Sequence, residues 1–124
     1  MRLLLKLEQL AQLGACMALL AVVGAPWWCY LLLLVGPDIG MLGYLAGSRV
    51  GAVTYNLLHH KGVALLLIAL AFLPAAVGGE PARAPLLGGL LLYGHASLDR
   101  LFGYGLKHAD SFQNTHLGRI GRER

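Results

Sequence analysis

Long apolar runs alternate along the chain with short polar interruptions, and the runs have the length of membrane spans. The first covers Leu3 to Ala25, with Glu8, Gln9 and Gln12 in its early turns. The second starts at the aromatic group Trp27, Trp28 and Tyr30, an interface anchor, and continues through LLLLVGPDIGMLGYLAG. The third includes Val50 to about Val77, and its first half, VGAVTYNLLHHKG, is far more polar than the VALLLIALAFLPAAV that follows. The fourth runs from about Pro85 to Leu106. A helix needs ~20 apolar residues to cross a bilayer. The pattern therefore predicts an all-α, four-helix transmembrane bundle over residues 1–107, with a tight turn at Gly24–Pro26 and a turn-rich loop at GGEPARAP. Residues 108–124 carry too many polar groups for lipid and read as a cytoplasmic C-terminal tail.

Composition agrees with the bilayer. The 124 residues are 57% hydrophobic and 13% charged, with a mean hydropathy of +0.65; a soluble domain of this length carries far more charge. The formal net charge is +4 and the pI is near 9.4. In so apolar a chain, basic residues belong on cytoplasmic loops facing anionic lipid, so membrane lipid is the expected partner and nucleic acid is not. Arg2, Lys6, Arg49, Lys107, Arg119, Arg122 and Arg124 all fall on one side if both termini are cytoplasmic. Cys16 and Cys29 sit in apolar surroundings and form no metal motif. Arg2 and Lys6 before an apolar run resemble a secretory signal, but GAPWW is a poor cleavage context, and the first helix reads as retained.

Polar side chains then appear where lipid should forbid them. At ~1.5 Å per residue, Asp38 lies about 16 Å in from Trp27, while His95 and Asp99 lie about 13 and about 20 Å in from Leu86. His59 lies about 27 Å from Val77, and Glu8 about 24 Å from Gly24. Within a core of ~30 Å, every span thus brings a polar group to the inner half. Asn56 and His59 (i,i+3), and His95 and Asp99 (i,i+4), share helix faces. Pro37 and Gly40 flank Asp38 and break its span, which is tolerable at depth only where protein or water satisfies the freed backbone. Ionisable groups inside a membrane mark functional sites.

Two imidazoles and two carboxylates suit a single zinc, iron or manganese ion, held by His59, His95 and Asp99, with Asp38 as a fourth ligand or as a partner behind the ligands. Glu8 is then the candidate general base, and Arg100 the group that holds a phosphate or carboxylate. This makes a metal-dependent membrane hydrolase. The same residues suit a proton or ion path, which four spans would enclose only as a homo-oligomer. A third reading is a structural or lipid-binding module: Glu8 and His59 can sit among headgroups, Asp99 can pair with Arg100 or Lys107, and YGHASLDRLFGYG can be a close-packing face. The tail is either solvated or folds back over the inner opening, with His116 as a further ligand or substrate contact.

PDIGMLGYLAG, YNLLHH, HASLDRLFGYGLK and SFQNTHLGRIG resemble, in order, the motif blocks of a small bacterial integral membrane family known only as a domain of unknown function. The resemblance covers almost the whole chain, and the DR-x-x-GYGLK and THLG blocks are its most specific parts. It implies a four-span protein of the bacterial inner membrane and brings no established activity or catalytic residue. Gly40 stands where that pattern carries Ser. A looser likeness is to membrane-bound metal-dependent hydrolases that pair a PD element with histidines on spans; this chain lacks the second Asp of their PD-x-D element.

Overall fold

The computed structural model describes residues 1–121, and their fold is all-α apart from one small hairpin. Helix α1 (Arg2–Val22) ends in a Schellman motif: Gly24 takes φ 65°, its N–H donates to Ala21 O, and Ala25 N–H donates to Leu20 O. A glycine suits this left-handed position because it has no Cβ to clash. The chain turns there into α2 (Trp28–Val35), which continues as an eleven-residue 3₁₀ helix, Gly36–Ala46, starting at the Gly-Pro pair. Pro37 has no N–H to continue the α ladder, and the tighter winding carries the span onward. A single residue, Gly47 at φ 117°, reverses the chain into α3 (Ser48–His59).

The third run is likewise interrupted. His60 is extended between α3 and α4 (Lys61–Ala71), and the two halves bend by 46°. The His60 side chain caps α4 by accepting from Gly62 N–H at 3.0 Å. A short 3₁₀ turn at Pro74–Val77 leads over to α5 (Arg83–Leu101). Strands β1 (Asn114–Thr115) and β2 (Gly118–Arg119) then pair antiparallel.

Helix α5 is the centre of the assembly, packing on α1, α2, α4 and the end of α3. Two glycines allow this. A Cβ at Gly89 would lie 2.7 Å from Ala64 O, and one at Gly94 would lie 2.7 Å from Leu33 Cδ1 and 3.3 Å from Cys16 Cβ. The apolar core of Leu20, Leu33 and Leu90 joins α1, α2 and α5. Arg83 ties the far ends of α1 and α5 together through Val23 O and Gly24 O, both at 2.7 Å. Meanwhile the 3₁₀ helix and α3 form a hairpin of their own, locked by Thr54 Oγ1–H donating to Gly40 O at 2.6 Å.

The four expected spans differ in kind. Helices Arg2–Val22 and Trp28–Ala46 are long and apolar enough to cross a membrane, and the bent pair Ser48–His59 with Lys61–Val77 is so only if its two halves count as one broken span. Helix α5 has 19 residues but is not among them. It buries its polar residues His95 and Ser97 against protein, whereas α1 and α2 leave most of their leucines exposed.

Candidate metal centre

The site assembles where the two broken spans meet the central helix. Asp38 stands two residues past the start of the 3₁₀ helix, His59 is the last residue of α3, and His95 and Asp99 lie one turn apart on α5. One ligand atom from each of Asp38, His59, His95 and Asp99 falls within 4.8 Å of all the others. His59 Nε2 and His95 Nε2 are 3.0 Å apart. Asp38 Oδ1 lies 3.5 Å from His59 Nε2 and 3.3 Å from His95 Nε2. Asp99 Oδ2 lies 3.3 Å from His59 Nε2, and its Oδ1 lies 3.6 Å from His95 Nε2.

Protonation follows from the partners behind the rings. His95 Nδ1 lies 2.7 Å from Leu33 O, and His59 Nδ1 lies 2.8 Å from Tyr55 O. A carbonyl only accepts, so each Nδ1 carries a proton, and a ring in its neutral form turns a bare Nε2 to the centre. Backbone bonds of this kind orient metal-ligating histidines. Ligands at ~2.0–2.1 Å from a tetrahedral zinc stand ~3.3–3.4 Å from one another; the His–His and His–Asp separations here are 3.0–3.6 Å, and the four ligand atoms together lie within 4.8 Å. The donor set, two imidazoles and two carboxylates, fits a borderline divalent metal.

The surrounding groups hold the four in place. Tyr55 is buried, stacks on His59 with ring centroids 3.7 Å apart, and donates its hydroxyl to Asp99 Oδ2 at 2.5 Å. Sequence reasoning paired His59 with Asn56 instead, although Tyr55, at i−4, shares that face equally well. Asn56 turns to the C-terminal segment: its Nδ2 donates to Lys107 O at 2.8 Å, and Lys107 N–H donates to its Oδ1 at 2.7 Å. Lys107 was also missed. It is only 4% exposed, its Nζ has no hydrogen-bond partner, and it lies over the rings of Phe112 (3.9 Å), Tyr55 (4.8 Å) and Tyr104 (5.9 Å). Burial pushes its pKa down, against the pull of Asp99 and Asp38 nearby. No sequence signal marks a lysine for such a cage.

The remaining candidates lie apart. Glu8 does not join the cluster; it is exposed on α1 and accepts from Gln12 Nε2 at 3.2 Å. Arg100 borders the site from behind, its guanidinium donating to Ala96 O at 3.2 Å and His59 O at 3.5 Å. Lys61 turns inward to Gln9 and Gln12 and faces the Tyr93 ring. The C-terminal segment folds back on the bundle: Ser48 Oγ–H donates to Ala109 O at 2.8 Å, and Thr115 is buried. His116 is no part of the four-residue group; its Nδ1 accepts from Leu106 N–H at 2.8 Å.

Residues 2–120 match the model of a family described as a domain of unknown function, DUF4260. The chain belongs to this family. No curated protein and no solved structure matches it. The DUF4260 match takes in all five α-helices and the terminal hairpin, so the His/Asp cluster and its supports lie within one family domain.

Proposed function

We propose that the protein is a four-span inner-membrane hydrolase that uses one divalent transition metal, zinc, iron or manganese, held by His59, His95 and Asp99, with Asp38 beside the open fourth position. The observation that carries this reading is the pair of Nε2 atoms facing each other at 3.0 Å between two carboxylates. Such a nest of lone pairs is repulsive unless a metal ion or a proton occupies it. Helix α5 is the fourth span, its polar residues sheltered from lipid by its neighbours, and both termini are cytoplasmic. That topology draws support from one end of the bundle, where Arg2, Lys6, Arg100 and Arg119 gather around a common cavity; basic residues favour the cytoplasmic side.

When bound, the ion supplies Lewis acidity. The chain's own groups set up the rest. Backbone carbonyls of Tyr55 and Leu33 hold the Nδ1 protons and present both Nε2 atoms. Tyr55 fixes Asp99 through Oδ2. The side chain of Asp38 is 37% exposed, against 17% for Asp99 and almost none for the histidines, so water and substrate arrive on its side. In place of Glu8, Asp38 is then the base that takes the proton of the attacking water. Arg100, beside His59, holds the anionic group of the substrate.

Metal content tests this. Protein purified in detergent without chelator is analysed by mass spectrometry, alongside His95→Ala. Stoichiometric zinc, iron or manganese in the wild type and its loss in the variant is the expected result. Absence of any transition metal from repeated wild-type preparations refutes the reading.

One observation favours proton transfer as a second reading: Asp38 and His59 both sit at breaks in a span, an arrangement common to transport sites. A proton then replaces the metal among the lone pairs, and a homo-oligomer encloses the path. Proton flux in liposomes from metal-free protein, abolished in His95→Ala, supports that reading over the first.

A further inference from the structure

A cavity of about 670 Å³ opens between the start of α1, the end of α5 and the C-terminal hairpin. Arg2, Leu5, Lys6 and Gln9 contribute to it from α1, with the i, i+3, i+4, i+7 spacing of a single helix face. Arg100 forms part of one wall, and His116 and Arg119 face it from the hairpin. Among the described residues, no carboxylate lines it and none lies within 4.0 Å of any of the four cations. Like charges gathered without a counter-ion repel, and an anion in their midst removes that repulsion.

Further features point the same way. The first turn of α1 has no side-chain cap and no acidic residue, so its N–H groups and the positive end of the helix dipole remain available. The Nδ1 of His116 accepts from Leu106, which puts the proton of the neutral ring on Nε2 and makes it a donor. The size is that of a small-molecule site. Leu5 and Leu117 interrupt the basic lining, and Leu3, Leu4 and Leu7 stand at least half exposed on the adjoining surface of α1. An apolar track thus leads away from the charged cavity.

We propose that this cavity binds the phosphate headgroup of an anionic membrane lipid, with the acyl chains lying along the exposed leucines of α1. Arginine holds phosphate oxygens bidentately, and basic clusters at a membrane surface select anionic headgroups. This site is separate from the His/Asp cluster and stands without a metal there. If the cluster is catalytic, Arg100 links the two, because it borders both the cavity and His59.

The test uses the full chain in detergent, titrated calorimetrically with dihexanoyl phosphatidate, dihexanoyl phosphatidylcholine and inorganic phosphate in separate arms. Saturable phosphatidate binding is expected, weakened by about tenfold or more in the double variant Lys6→Gln/Arg119→Gln. Both positions are exposed, so the fold is spared. Phosphatidylcholine should not saturate, and inorganic phosphate should bind more weakly than phosphatidate. His95→Ala should bind phosphatidate like the wild type, which keeps this result independent of the metal reading. Phosphatidate binding that is absent, unchanged in the double variant or matched by phosphatidylcholine overturns the proposal. Inorganic phosphate binding as tightly as phosphatidate overturns the lipid as its source.

Discussion

Tyr55→Phe removes one atom from the support of the cluster. The Tyr55 hydroxyl is 2.5 Å from Asp99 Oδ2, and a hydrogen bond to a charged group is worth about 1.5–3 kcal/mol. The ring itself remains, still stacked on His59, so the buried packing of the core is untouched. Asp99 keeps partial access to solvent, its side chain being 17% exposed, and water can take the place of the lost donor. Folding should therefore lose only about 1 kcal/mol. Metal affinity should fall by about 10–100-fold, because a carboxylate without its outer partner is no longer held toward the ion. Competition of zinc between the protein in detergent and a chromophoric chelator reads the affinity, and thermal unfolding of the metal-free form reads the stability. Equal affinity in wild type and variant would falsify the claim that Tyr55 positions a ligand. A large loss of metal-free stability would show instead that the hydroxyl holds the fold.

Other predictions follow from the packing and the charges. Gly89→Val should cost about 1–3 kcal/mol, because its Cβ meets Ala64 O at 2.7 Å and forces α4 off α5; an unchanged melting temperature would contradict that close approach. Burial lowers the Lys107 pKa from its ordinary 10.5, so at alkaline pH below 10.5 the unfolded chain binds the extra proton and stability rises with pH across that window. Lys107→Met should flatten this slope in denaturation curves, and a variant slope equal to that of the wild type speaks against the buried cation. Cysteines at Ser48 and Glu80 should react with an impermeant maleimide from opposite sides of the membrane, since Cys16 and Cys29 are buried and silent. Labelling of both from one side would overturn the topology.

The all-α class was legible from the sequence because lipid imposes a one-dimensional rule: long apolar runs, with aromatic and basic residues at their ends. Family membership was legible as well, since motif blocks such as DRLFGYGLK need no folding to be read. The residues Asp38, His59, His95 and Asp99 stood out individually, each being an ionisable group inside an apolar run. Their meeting within 4.8 Å depends on tertiary structure. It requires the 3₁₀ winding after Pro37, the 46° bend at His60 and the close seating of α5 on glycines, none of which periodicity encodes. Glu8 illustrates the limit: its estimated depth overlapped that of the others, but depth along one axis leaves the rotation of a helix open, and α1 turns that carboxylate to the outside. Tyr55, Lys107 and the basic cavity were invisible for a related reason. Tyr55 meets Asp99, 44 residues on, only when the end of α3 packs on α5, and Lys107 and the cavity take their neighbours only when the C-terminal segment folds back onto the bundle.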